Sequence, residues 1–283
     1  MRNWTKACLF GGALFSAGIA QARPTAYVLA GPDGAAAPES GGYAWDAQHM
    51  VPLREALENL TNFGHLGLGV KRRVITESFS YLGADTVGGA DGIISPWWYD
   101  ADVGVNEQYG AAYHFLHGGD LFLFQDSSYT DAIGSYLGIP TTDGYGGSFS
   151  GTSFPFDGPF GVASSVVFTG TVGTLNPADV AAHHGTVLAT NPSGSPVIAY
   201  WDRGEYAPGA GRMIIVTDVN TIGDDNGTAQ YNPLNDNGRF ALNLIAGMID
   251  EPASCNPADV DGNGILNLDD IAVFAEQFLN GCP

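Results

Sequence analysis

The chain has 283 residues, 45% of them hydrophobic, enough for one full-sized domain plus a small appendix, and this excludes wholesale disorder. Thirty Asp and Glu face ten Lys and Arg, for a formal net charge of −20. Such a surface repels phosphate backbones and anionic lipid heads, so nucleic acid and membrane surfaces are poor partners and metal cations better ones.

Residues 1–22 read as an export signal. Arg2 and Lys6 give the positive start, "ACLFGGALFSAGIA" the apolar stretch, and Ala20-Gln21-Ala22 a small-x-small cleavage site before Arg23. The apolar stretch is short for a membrane span. Cys8 precedes that stretch, whereas a lipoprotein carries its cysteine after it. The expectation is a secreted or cell-surface protein with no membrane insertion. Cleavage leaves two cysteines, Cys255 and Cys282. An oxidising compartment permits a disulfide between them, which would staple a unit too small to stand on its core alone; two free thiols are the alternative.

Beyond the signal, "TAYVLA" (25–30) predicts a buried strand followed by the turn "GPDG". Met50, Leu53, Leu57 and Leu60 share one face of a helix within "AQHMVPLREALENLTNF". "KRRVITESFSYL" (71–82) and "ADGIISPW" (90–97) predict strands, and "VNEQYGAAYHFLHGG" (105–119) a helix closed by a glycine pair. "DLFLFQD" (120–126) predicts a buried strand and "YTDAIGSYLGI" (129–139) a short helix. Residues 141–161, rich in Gly, Ser and aromatics, carry no sustained period and predict a long loop or an insertion over a sheet edge. Strand-like runs follow at 164–170, 185–190, 196–201 and 211–219, then an amphipathic helix over 236–249. Strands alternating with helices predict a three-layer α/β fold with a flavodoxin-like, mainly parallel sheet. "DEPAS" (250–254) marks the linker to a terminal unit, giving a signal at 1–22, a domain at 23–250 and a tail at 251–283.

"HFLHGGDLFLFQDSSYTDAIGSYLGIP", with "GRMIIVTDVNTIG" and "NDNGRFALNLIAGMI", resembles class I glutamine-amidotransferase-like domains, in particular their non-catalytic branch. The resemblance covers roughly residues 25–250. Active members present a Cys on a sharp strand–helix turn. Here that turn reads Gln125-Asp126-Ser127-Ser128, and no cysteine lies in 23–250, so the expectation leans away from an enzyme. Ser127 or Ser128 with His183 or His184 would be a substitute nucleophile and base, but no Gly-x-Ser-x-Gly elbow surrounds them, and capping serines are the plainer reading.

His114 and His117 stand at i, i+3 on one helix, a spacing that suits a metal, with no further ligand evident beside them. The acidic runs 98–107 and 221–227 complete no known calcium spacing. Trp97, Trp98 and Tyr99, with Tyr145, Phe149, Phe154 and Phe156, are candidates for a sugar-stacking groove at the strand ends, where open α/β sheets bind ligands. An extracellular polysaccharide hydrolase would need two carboxylates flanking a cleft. Asp100, Asp102, Glu107, Asp202 and Glu205 are the candidates.

The strongest motif is terminal. Asp259, Asp261, Asn263, the Ile265 carbonyl, Asn267 and Asp270 fall at positions 1, 3, 5, 7, 9 and 12 of an EF-hand loop, with Gly264 at the sharp turn. The expected cofactor is Ca²⁺. The stretch resembles half of a dockerin type I repeat, bracketed by cysteines as in the single-repeat tails of secreted planctomycete-type proteins. Asp270 where an EF-hand carries Glu is the dockerin choice. The resemblance implies a cohesin-like or cell-surface partner, although one repeat stands here where cellulosomal dockerins have two. The function expected is a secreted, non-catalytic α/β domain with a calcium-binding tail for docking or anchoring. A polysaccharide hydrolase and a glycan- or small-ligand-binding module are the alternatives.

Overall fold

A computed structural model describes residues 26–64, 70, 72–84, 89–144, 146–223, 232, 234–249 and 271. The calcium loop 259–270, Cys255 and Cys282, the signal and Tyr145 lie outside the described residues. The elements in chain order are β1 (Ala26–Pro32), α1 (Val51–Glu58), β2 (Arg73–Phe79), β3 (Gly92–Ser95), α2 (Val105–Leu116), β4 (Asp120–Phe124) and α3 (Ala132–Tyr136). After these come β5 (Thr141–Gly144), β6 (Gly147–Phe149), β7 (Val166–Phe168), β8 (Val172–Leu175) and α4 (Pro177–Ala182). The last are β9 (Thr186–Thr190), β10 (Pro196–Trp201), β11 (Met213–Val216) and α5 (Asp236–Ile249).

The fold is mixed α/β around a mostly parallel sheet. Its seven strands run in the order β2-β1-β3-β4-β11-β10-β9. From β2 to β11 every neighbour pair is parallel, and β10 and β9 complete that edge antiparallel. Every residue of β3, β4 and β11 is buried, as expected of parallel strands covered on both faces. Alternation along β4 divides the core in two. Phe122 and Phe124 join Leu53 and Leu57 of α1 and Phe240 and Leu244 of α5 on one face. Leu121 and Leu123 join Phe115 of α2, Ile133 of α3 and Val180 of α4 on the other.

The helix expected through Leu60 stops at Glu58. Asn59 turns extended, and its side-chain oxygen accepts the Thr61 N–H at 3.0 Å, offering the chain a turn in place of another helical bond. The aperiodic stretch after residue 140 is two nested antiparallel ribbons, β5 with β8 and β6 with β7. Strands of three or four residues are too short to show a period. Helix α4 was also absent from the sequence reading, yet Asn176 caps it, accepting the Ala178 N–H at 2.9 Å, with Pro177 opening its first turn.

Candidate functional site

The chain reverses direction across the sheet between β1 and β3, and open α/β sheets offer their binding crevice at the carboxyl ends of such strands. The segment leaving β3 keeps a two-residue alternation. Trp98 turns into the core and its indole N–H donates to the Ala36 carbonyl at 3.0 Å, while Trp97 and Tyr99 remain half-exposed. Two aromatics from other segments extend this pair into a row. Ring centroids lie 6.1 Å apart for Tyr43 and Trp97, 6.0 Å for Trp97 and Tyr99, and 6.5 Å for Tyr99 and Tyr129. His49 packs on Tyr43 at 4.8 Å, and Tyr129 at the other end is 52% exposed.

Hydrogen bonds fix both ends of the row. The Asp100 N–H donates to the Tyr129 carbonyl at 2.6 Å, and Asp100 Oδ1 accepts the Ala132 N–H of α3 at 2.8 Å. At the far end the Tyr43 hydroxyl donates to Asn220 Oδ1 at 2.7 Å. Behind the row, at the end of β4, Asp126 is buried and accepts the Val219 N–H at 2.7 Å. Burial pushes its carboxyl up to about 7.

Phe149, Phe154 and Phe156, also named from sequence, pack elsewhere. Phe149 packs on Phe168 at 4.5 Å, Phe156 on Phe240 at 5.4 Å, both buried, and Phe154 on Tyr200 at 5.4 Å. Tyr43, closing a short 3-10 helix, and Tyr129, in a turn, were missed because neither has the directly adjacent aromatics that mark Trp97–Tyr99. The acidic candidates also separate. Asp100 serves α3, and Asp102 accepts the Glu39 N–H at 2.9 Å. Glu107 sits in the first turn of α2. Asp202 and Glu205 follow the antiparallel β10 and so fall at the opposite edge of the sheet, where Asp202 pairs with Arg212 at 3.1 Å.

Ser127 is buried, and its hydroxyl accepts the Tyr129 N–H at 3.3 Å. Ser128 is exposed. His183 stacks on Tyr206 with centroids 4.8 Å apart, and His184 takes a positive φ of 63° just after α4. Among the described residues no hydrogen bond links either serine to a histidine. The geometry of an activated nucleophile is not assembled there.

At the amino ends of β1 and β4 lies a second feature, a cleft of about 370 Å³ lined by Tyr27, Arg72, Asp91, His114, His117 and Arg203, among others. Asp120, 0% exposed, anchors its floor. It accepts the Tyr27 hydroxyl at 3.0 Å and the Arg212 N–H at 2.9 Å, and pairs with Arg203 at 3.1 Å. Burial raises its carboxyl despite the lowering pull of Arg203. Arg72 lies 4.9 Å from the Tyr27 ring centroid and 3.5 Å from Asp91. His114 is 9% exposed, and burial pushes its imidazole down to about 4, so it is neutral at pH 7. The His114–His117 pair named from sequence meets in this cleft. Among the described residues, however, no three His, Cys, Asp or Glu side chains converge as a metal site would require.

No family model matches the chain, and neither does any curated protein. Among solved structures, the "mmIFT52 N-terminal domain" is similar with a TM-score of 0.50 at 11% identity, over 80% of this chain and 98% of that one. The likeness is one of fold. The exo-beta-1,4-mannosidase Op5Man5 from Opitutaceae bacterium strain TAV5 is matched with a TM-score of 0.47 at 13% identity, over 81% of this chain and 37% of that one. Among the described residues no helix is long and apolar enough to cross a membrane.

Proposed function

We propose that this chain is an exported, non-catalytic glycan-binding protein. Its flavodoxin-like domain, 23–250, follows the non-catalytic amidotransferase-like plan, and its tail, 251–283, is a calcium-dependent dockerin-like anchor for a cohesin-like or cell-surface partner. The reading rests on one observation above all: the row Tyr43–Trp97–Tyr99–Tyr129, partly open to solvent across the carboxyl ends of the sheet. The rings are tilted to one another by 61°, 47° and 31°, so each offers its own apolar patch to the C–H face of a sugar ring. The absence of cysteine from 23–250 and the lack of a hydrogen bond from Ser127 to a histidine among the described residues support a binding role. The donor set at Asp259, Asp261, Asn263, Ile265, Asn267 and Asp270 supports the calcium reading of the tail.

Calorimetry of the purified protein against soluble β-glucan, mannan and galactan oligosaccharides tests the row. One class binds, and Trp97→Ala weakens that binding at least tenfold with the fold intact by circular dichroism. Unchanged affinity in Trp97→Ala, or no heat with any glycan, counts against the proposal. Release of new reducing ends in the same mixtures would convert the reading to a hydrolase.

A further inference from the structure

The cleft at the amino ends of the strands lies away from the aromatic row and has a different chemistry. Its volume of about 370 Å³ falls in the ordinary range of small-molecule sites, roughly 300–1,000 Å³. In a chain of net charge −20, two of the six arginines among the described residues line this one cleft, each set beside a carboxylate. Arg203 is held by the buried Asp120. Arg72 meets Asp91 in a single 3.5 Å ion pair and otherwise lies against the Tyr27 ring. A guanidinium carries five N–H donors in a planar fork matched to a carboxylate, and one long ion pair leaves most of them unused.

His117 supplies the opposite capacity. His117 Nδ1 donates to the Tyr113 carbonyl at 2.8 Å, which in the neutral ring leaves Nε2 as an acceptor. His114 is turned inward instead: its ring fills the space that a side chain at Gly119 would need, and it bonds the Asp91 backbone. A matching ligand therefore carries acceptor oxygens at one end and a hydroxyl donor at the other.

We propose that this cleft binds a hydroxy-carboxylate of monosaccharide size, with its carboxylate on Arg72 and a hydroxyl donating to His117. Isothermal calorimetry of the purified protein with galacturonate is the direct measurement. Galactose, which has the hydroxyls without the carboxylate, and propionate, which has the reverse, form the other two arms. Galacturonate binds at least tenfold more tightly than either. Arg72→Gln weakens it at least tenfold, and Arg72→Lys, which keeps the charge but not the fork, recovers only part of the loss. Trp97→Ala leaves galacturonate binding unchanged, which separates this site from the aromatic row. Should Arg72→Gln melt lower than the parent, His117→Phe, at an exposed position, serves as the second variant and also weakens binding. No heat with galacturonate, galactose binding as tightly as galacturonate, or full affinity in a well-folded Arg72→Gln overturns the proposal.

Discussion

Asp126 and His114 are both buried ionisable groups, and burial moves them in opposite directions. The folded state holds Asp126 protonated up to about pH 7, whereas its ordinary value is 3.8. Its contribution to stability is therefore complete below pH 4 and is lost as pH rises through 7, by at most about 1.4 kcal/mol per pH unit. Asp126→Asn keeps an oxygen for the Val219 N–H and never ionises. Its melting temperature should gain on the parent between pH 4 and 7 and hold that gain above. His114 has the reverse sign: its folded value of about 4 lies below the ordinary 6.5. Its contribution is complete above pH 6.5 and is lost as pH falls through 4, so His114→Gln should lose less stability than the parent on acidification. The two windows overlap, and in the parent their effects largely cancel. Melting curves of the two single variants from pH 4 to 8, set against the parent's, separate the two contributions.

At the scale of elements, α3 is five residues long and depends on what meets its N-terminus. Asp100 meets it through Ala132 and holds Tyr129 in line through its own N–H. Asp100→Ala should cost about 1 kcal/mol in denaturant unfolding by leaving an orphan donor. The variant keeps the backbone N–H that holds Tyr129, so glycan binding should stay within about twofold of the parent. The elements that sequence patterning located well are those whose burial is complete: "DLFLF" and "MIIV" announce central strands because nothing polar fits there. Of the nested ribbons only β7, inside the run at 164–170, shows as a strand in the sequence; β5, β6 and β8 do not, for the opposite reason. Their pairing is set by contacts between segments some thirty residues apart, such as Thr141 with Leu175, and no local period encodes them. The candidate site was half legible: adjacent Trp97 and Tyr99 declare a stripe, but the topology alone brings Tyr43 and Tyr129 to it. The cleft at the amino ends left no motif at all, since Arg72 and Arg203 stand far apart in the chain and converge only in space.

At the scale of the whole molecule, a net charge of −20 implies self-repulsion throughout the folded state. Raising NaCl from about 0.01 M to 0.15 M shortens the screening length from about 30 to 8 Å. The melting temperature should rise over that interval, and a flat or falling trend would mean that local ion pairs dominate. Calcium should act on the tail: titration of the oxidised protein gives heat that EGTA abolishes, and Asp259→Ala with Asp261→Ala removes it without altering the main melting transition. Loss of the heat together with the main transition would mean that tail and domain fold as one unit.

Strand β4 begins at Asp120, the floor of the cleft, and Asp126, behind the aromatic row, lies just past its end. At about 3.3 Å per residue these positions stand roughly 20 Å apart along a fully buried strand. Changes at that separation with no shared partner combine additively, within about 0.5 kcal/mol. A double-mutant cycle on Arg72→Gln and Trp97→Ala should therefore close with no coupling energy. The sheet would then act as an insulator, leaving each end free to change its ligand without disturbing the other.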